Sequence, residues 1–569
     1  MILANVAPCQ ATALDPRAEP EAATSGELKK SFRAKQHLVV AANPHASGAG
    51  REILRLGGSA IDAAIAVQMV LNLVEPQSSG IGGGAFLLHW DERGQRLASF
   101  DGRETAPLAA KSTRFMKDGK PMGFRDAVPG GLSVGTPGVL KMLEKVHQRH
   151  GRLRWDRLFE PAIKLARDGF FVSPRLNTLL QKAKPETFGE QARAYFFDQN
   201  NRPRPIGYRL KNLQFAQALS GIASLGSDFF YQGRLAETIV RTVQGAKNNK
   251  GDMTIADLAA YRAFERLPVC VSYRSYKVCG MGPPSSGMLT VAQVLKLIEP
   301  FDLGKHPLND KALHIIAEAE KLAYADRKRY MADSDFVRIP HGLLDARYLK
   351  TRGALISPAK SMGKAIPGQP PFRQGHFGTD GTTENNGTSH ISIIDRWGNA
   401  VSMTTSIEAA FGARLMVSGF LLNNELTDFS FRPTDKQGRP IANRVEPQKR
   451  PRSSMAPTMV FDKNGRLHMV VGSPGGGRII LYVLKAIIGH IDWGLNGDAL
   501  TQLPNFGSRN GPLELEEGSG VETIKTALQA LGHKIRIAPM TSGVHLILRE
   551  DDTLVGAGDP RREGLALGD

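Results

Sequence analysis

Cysteine is scarce in this chain, with three in 569 residues. So few exclude a disulfide-framework fold and any four-cysteine metal site. Long apolar runs are scarce as well. The longest, Ala60 to Val74, is broken by Asp62, Gln68 and Asn72, which marks a buried helix and not a membrane span. No Pro/Ser-rich hinge separates autonomous halves, although 569 residues exceed what one ordinary core organises. Met1 to Ala7 lack both a basic start and a full apolar stretch, so no secretory signal is legible. Basic-aromatic interleaving and zinc-ligand spacing are missing too. The net charge of +18, 73 basic less 55 acidic side chains, is scattered in short pieces such as Lys29-Lys30 and Arg327-Lys328-Arg329. A solvated basic surface accounts for it, and no nucleic-acid partner is expected.

What is present is the composition of a soluble globular protein: 41% apolar, 22% charged and 60 glycines. We read a polar N-terminal tail over 1–32 and one large α/β body after it. Residues 35–42 read as a strand, 45–56 and 59–74 as helices, and Gly80–Gly84 feeds a hairpin through Asp91-Glu92-Arg93-Gly94. From 138 to 331 a 3.6-residue period predicts helices at Val139–His150, Trp155–Asp168, Ser173–Lys184, Arg234–Lys247, Met288–Ile298 and Lys311–Met331. Strands return after Thr388, with helices near 478–490 and 521–531. Between lies 355–387, rich in Gly, Pro, Thr and Asn, expected to be exposed and mobile. Strands at both ends with helices between predict stacked layers around a central sheet pair. A turn at Arg274-Ser275 would set Cys270 opposite Cys279, which permits a hairpin disulfide; two half-buried thiols are the expectation.

The most informative stretch is Asn385 to Asp395. A turn-prone run gives way at Thr388 to an alternating strand, with Ile391 and Ile393 on one face and Ser392 and Ile394 on the other. Cutting the Gly387–Thr388 bond would place a hydroxyl and a free α-amine on one residue. Threonine is a weak nucleophile unless a base sits beside it, and an α-amine with a pKa near ~8 is such a base. Other motifs fail in context. Gly131-Leu132-Ser133-Val134-Gly135 has the letters of a nucleophile elbow without the strand before and the helix after. Gly80-Ile81-Gly82-Gly83-Gly84 runs into a strand instead of opening a helix, so it is no dinucleotide fingerprint. Gly472-Ser473-Pro474-Gly475-Gly476-Gly477 lacks a P-loop ending, but it joins a strand to a helix and could present backbone amides to an oxyanion.

Taken in order, these pieces resemble the gamma-glutamyltransferases of the N-terminal nucleophile hydrolase superfamily. The resemblance runs from about residue 33 to 566. It is carried by Asp101-Gly102-Arg103-Glu104-Thr105-Ala106-Pro107, Pro283–Gly287, Ala319–Arg327, Thr388-Ser389-His390 and Thr404–Glu408 with Phe411-Gly412. Leu421–Phe429, Arg450–Thr458, Gly472–Gly476 and Gly556–Arg561 complete it. It implies an α+β fold, a four-layer αββα sandwich formed jointly by two chains from one precursor, a large subunit over 33–387 and a small catalytic one over 388–569. It implies self-cleavage at Gly387–Thr388 and attack by Thr388 on the γ-carbonyl of a donor such as glutathione. The resulting ester would pass to water or to an amino acid or peptide amine, with no cofactor and no metal.

By the same resemblance Ser406 supports the nucleophile, and Gly475 and Gly476 donate to the oxyanion. Arg103, Ser453 and Ser454 hold the donor's α-carboxylate, and guanidinium pairing there can be bidentate. Glu408, Glu425 and Asp428 face its α-ammonium. Many relatives carry Asn at position 408 and Gln at 425, and Thr is common at 406. A tyrosine-tipped lid is missing, because Ser430–Lys449 holds only Phe431 among aromatics. Alternatives are a glutaryl- or cephalosporin-type acylase and a non-catalytic binding protein. Bacterial relatives are mostly exported, so a periplasmic or extracellular location is the expectation.

Overall fold

The computed structural model describes residues 30–372, 375–382 and 387–569. Most of the polar tail therefore lies outside the described residues, and Phe32 already belongs to a strand. In chain order the main strands are β1 (Phe32–Ala34), β2 (Leu38–Ala41), β3 (Gly84–Asp91), β4 (Arg96–Gly102), β5 (Phe264–Arg266), β6 (Val269–Tyr273) and β7 (Tyr276–Gly280). They continue as β8 (Thr388–Ile394), β9 (Ala400–Ser406), β10 (Thr458–Phe461), β11 (Leu467–Gly472), β12 (His545–Glu550), β13 (Thr553–Gly558) and β14 (Leu565–Gly568). Two seven-stranded sheets result, in the orders β14-β2-β8-β9-β3-β4-β5 and β1-β13-β12-β11-β10-β7-β6. Each is antiparallel throughout.

The sheets stack face to face, β8 and β9 lying against β11 and β12. Helices α1 (Pro44–Arg55) and α2 (Ala60–Val74) cover the first sheet. The second is covered by α3 (Gly287–Ile298), α4 (Asp310–Tyr330) and α5 (Ile479–Ile491). This is the four-layer αββα sandwich. Its core follows the strand period. Ile391 and Ile393 of β8 join the helix-side core, while Ile394 joins the thin layer between the sheets. α2 is buried at every position, its three polar residues Asp62, Gln68 and Asn72 included, and Ser59 and Asp62 form its capping box. Among the described residues no helix is long and apolar enough to cross a membrane.

Two expectations are corrected. Cys270 and Cys279 form a disulfide. The tight turn pairs Tyr273 with Tyr276 and so sets the cysteines directly opposite, with Cα atoms 4.1 Å apart. Cys279 is also packed into the core between the sheets. The segment after residue 355 is not simply exposed. It carries no helix or strand among its described residues, yet Ile356, Ala365 and Asp380 are buried. Asp380 pairs with Arg452 at 3.0 Å, and its backbone N–H donates to the Lys328 carbonyl. Composition reports that backbone's irregularity, not its anchoring.

Candidate active site

Thr388 opens β8 at the centre of the first sheet, with β9 as its neighbour, and Thr388 pairs with Ser406 across the ladder. The two hydroxyls are 3.3 Å apart. Ser406 Oγ donates to the carbonyl oxygen of Gly387, 2.9 Å away, and accepts from the Glu408 N–H at 2.8 Å. The carbonyl ahead of Thr388 thus already bears a hydroxyl donor. Only glycine fits before Thr388, because a Cβ on Gly387 would stand 2.1 Å from the Glu408 carbonyl oxygen. The corner opposite is tight: Glu408 and Phe411 adopt φ of +76° and +68°. Side-chain amides brace it, with Asn424 Oδ1 accepting from the Ala409 N–H and Asn424 Nδ2 donating to Glu408. Behind Thr388, the buried Arg562 guanidinium donates to the Thr388 carbonyl at 3.3 Å. Burial pushes the Arg562 pKa down to about 9.

A cleft opens beside this corner, lined by Thr388, Ser406, Glu408, Glu425, Asp428, Ser453, Ser454, Met455, Gly476 and Ile479. Its volume is about 20 Å³, room for about one water. Eight of the expected site residues therefore meet at one place. Arg103 and Gly475 stand behind its wall. Arg103 follows β4, its N–H donating to Asp101 and its Nε and Nη2 to the carbonyls of Pro451 and Arg452. The guanidinium is fully buried and pairs with Glu425 through Nη1 and with Asp428 through Nη2, the latter at 2.5 Å. Burial acts to lower the Arg103 pKa, but the charges of Glu425, Asp428 and Glu104 lift it above the ordinary arginine value. In the uncut chain the residues expected to hold a donor's two charged ends neutralise one another instead.

The glycine turn behaves as its sequence context requires. β11 ends at Gly472, Gly475 and Gly476 take φ of +136° and +52°, and a short 3₁₀ turn (Gly476–Arg478) leads into α5. A Cβ on Gly475 would fall 2.5 Å from the Tyr482 ring. Ser453 and Ser454 are set by the loop before α3. Ser286 Oγ donates to the Ser453 carbonyl, and Arg327 donates through Nε to Ser286 Oγ and through Nη2 to Ser454 Oγ. Arg327, Glu104 and Arg562 received no role from the sequence, although two of them sit inside the motifs that carry the resemblance. Only their burial and partners, which no spacing reveals, single them out. His390, two residues past Thr388, is fully buried between the sheets. Burial, and then His545, hold its pKa well below the ordinary value, so it is neutral and bonded to Thr404 and Ser392.

A second cluster lies apart from the cleft and was not legible in the sequence. His314 and Glu318 of α4 meet His533 with their ligand-type atoms within 4.8 Å of one another. Lys321 Nζ sits among them, 2.6 Å from Glu318 and 3.4 Å from His533 Nδ1. His314 Nε2 must donate to the Ser357 carbonyl, so its Nδ1 accepts from His533 Nε2, whose Nδ1 accepts from Lys321. Every ring nitrogen has a partner with lysine as the cation, and the cluster anchors the segment at Ser357 and Met362. The Ser133 of the elbow-like motif is likewise structural, its hydroxyl donating to the Val128 carbonyl.

The chain is 37% identical to the glutathione hydrolase proenzyme of Escherichia coli strain K12, over 97% of this chain and 95% of that protein. A cephalosporin acylase from Bacillus halodurans superposes with a TM-score of 0.84 at 26% identity, over 98% of this chain and 99% of that one. A Helicobacter pylori gamma-glutamyltranspeptidase chain matches with a TM-score of 0.56 at 33% identity, over 61% of this chain and 98% of its own. The sequence profile of the family described as gamma-glutamyltranspeptidase matches residues 46–568, and with the Thr388 corner, the acid-lined cleft and the glycine turn in place, the chain belongs to that family.

Proposed function

We propose that this protein cuts itself between Gly387 and Thr388 and that the new Thr388 then hydrolyses or transfers γ-glutamyl groups from donors such as glutathione. The observation that carries the reading is Ser406, whose hydroxyl contacts both the Thr388 hydroxyl and the Gly387 carbonyl. In maturation Thr388 Oγ1 attacks the Gly387 carbonyl carbon, and Ser406 stabilises the oxyanion. The C–N bond breaks as the hydroxyl proton passes to the Thr388 nitrogen. Water then cleaves the ester, leaving a Gly387 carboxylate and a Thr388 that bears both hydroxyl and amine. The large chain 1–387 and the small chain 388–569 stay together because β8 lies between β2 and β9.

In turnover the free amine takes the hydroxyl proton as Thr388 attacks the donor's γ-carbonyl. Amides of Gly475 and Gly476 receive the oxyanion, a kind of donor worth ~3 kcal/mol each. The leaving amine takes the proton, and water or an acceptor amine resolves the ester. Arg103 with Ser453 and Ser454 takes the α-carboxylate, while Glu408, Glu425 and Asp428 take the α-ammonium. This requires the Arg103 pairs of the uncut chain to open. No cofactor enters any step. The Cys270–Cys279 disulfide favours an oxidising, extracytoplasmic location.

Thr388→Ala should remain one chain, whereas the native protein should give a small chain whose N-terminal sequence reads Thr-Ser-His-Ile-Ser. An intact single chain with full activity refutes the scheme. The acylase reading has the B. halodurans likeness in its favour, but an acyl group without an α-ammonium has no use for the three carboxylates in the cleft. Release of p-nitroaniline from a γ-glutamyl anilide, with little from the glutaryl anilide, is the expected result.

A further inference from the structure

Three carboxyl groups surround one guanidinium in this site. Arg103 pairs with Glu425 and Asp428, and its Nη1 lies 3.7 Å from Glu104. Glu104 and Glu425 are almost completely shielded from solvent, and Asp428 nearly so. A single positive charge cannot balance three buried negative ones. Desolvating an uncompensated carboxylate is costly enough that the group binds a proton instead.

The hydrogen bonds locate that proton. Both side-chain oxygens of Glu104 are buried without a bonding partner, and so is Oε2 of Glu425. The two carboxyl groups converge on the same nitrogen, Arg103 Nη1, which pairs with Glu425 and lies 3.7 Å from Glu104 Oε2. A proton between them gives Glu425 Oε2 and one Glu104 oxygen a partner at once. The side chains around the pair are otherwise engaged or carry no donor. β3 presents Gly84, where a Cβ would stand 2.3 Å from Glu104 Oε2, and the 135 loop presents Gly135. The 425 turn presents Glu425, Leu426 and Asp428. Tyr261 turns its hydroxyl to the Arg103 carbonyl, and Tyr231 gives its hydroxyl to Pro137. The other charged groups nearby, Asp101 and Arg450, pair with each other at 3.3 Å. Burial first, and then the charge of Glu425, push the Glu104 pKa well above the ordinary carboxylate value.

We propose that Glu104 and Glu425 share one proton while no donor is bound, and that the α-ammonium of an arriving γ-glutamyl donor expels it. Glu104 is then a positioning residue. It holds a proton against Glu425 while the pocket is empty and gives it up when a cation must be matched. The proposal deepens the γ-glutamyl reading above and rests on it. Proton release on binding has a definite sign. Donor affinity rises with pH while the pair is protonated, by about tenfold per pH unit for one proton released. A ligand without the ammonium releases none.

The test is titration calorimetry of the processed, wild-type enzyme with L-glutamate, a non-reacting product, in phosphate and in Tris at about pH 6.5, with glutarate as the comparison. The buffer dependence of the heat gives the proton count. About one proton should leave with L-glutamate and none with glutarate. Glu104→Gln, a permanent donor to Glu425, should bind L-glutamate with no proton exchange and a flat pH profile. Glu425→Gln, which removes the second acid, should also lose the release. Normal L-glutamate binding by the native enzyme without proton release overturns the proposal, whatever the variants do. So does release that persists in both variants. If L-glutamate fails to bind at all in either buffer, the γ-glutamyl reading falls and takes this one with it.

Discussion

Glu408 combines two demands that pull in opposite directions. Its φ of +76° is a left-handed conformation that a glutamate tolerates poorly and an asparagine well. Relatives with Asn at this position relieve that strain, whereas here a carboxylate is kept beside the cleft. Glu408→Asn should therefore raise stability by ~0.5–1 kcal/mol. It should also raise KM for γ-glutamyl donors while sparing glutaryl ones, and thermal melts beside paired kinetics read both effects. Arg103 makes the complementary case. Its planar fork serves two carboxylates in the uncut chain and would serve the donor's carboxylate afterwards. Arg103→Lys keeps the charge and loses the fork, so donor binding should weaken by ~1–3 kcal/mol while the small chain still appears on a gel. Equal loss on donors with and without an α-carboxylate would contradict that assignment.

Among elements, α4 binds the second sheet's helical layer to the segment that leads toward Thr388. Its buried Glu320 accepts from the Ser508 N–H at 2.7 Å, and burial pushes its pKa up to about 8. The ordinary value is 4.5, so between these limits the folded chain holds a proton that the unfolded chain has lost. Stability from this group therefore falls as pH rises through that window, by at most about 1.4 kcal/mol per pH unit. Glu320→Gln keeps an acceptor for Ser508 and should flatten the dependence of Tm between about pH 5 and 8; an unchanged slope would show that Glu320 is already ionised there. Elements such as α4 and β8 were legible because their apolar periods are long and regular. Helix 213–225, packed on helix 160–168 and the turn at 155–159, was not read from the sequence at all. The cleft residues were legible as motifs, whereas the cross-pairing of Arg103 with Glu425 and Asp428 was not. Those partners are more than 300 residues apart, and only the fold decides whether opposite charges meet each other or wait for a ligand.

For the whole molecule, under the proposed mechanism the balance between water and amine as the final acceptor depends on what closes over the Thr388 ester. The segment 430–449, where some relatives carry an aromatic lid, folds back on itself here. The Ser430 N–H donates to the Asn443 carbonyl, and Asn443 in turn bonds the Asp428 carbonyl and Asp380. Its one aromatic ring, Phe431, is stacked on Phe115 with centroids 4.6 Å apart, so it belongs to a small core and not to the cleft mouth. An acceptor side without an aromatic cover leaves the ester open to water and admits leaving groups larger than that of glutathione. Hydrolysis should therefore be substantial at neutral pH. An acceptor amine attacks only when deprotonated, so transfer should gain on hydrolysis as pH approaches the acceptor's own pKa, near ~8 for an α-amine. Product analysis by mass spectrometry from about pH 6 to 10, with a dipeptide present, reads both halves of this expectation. Transfer that already dominates in the acid half of that range, or strict exclusion of larger donors, would mean that a segment other than 430–449 closes the site.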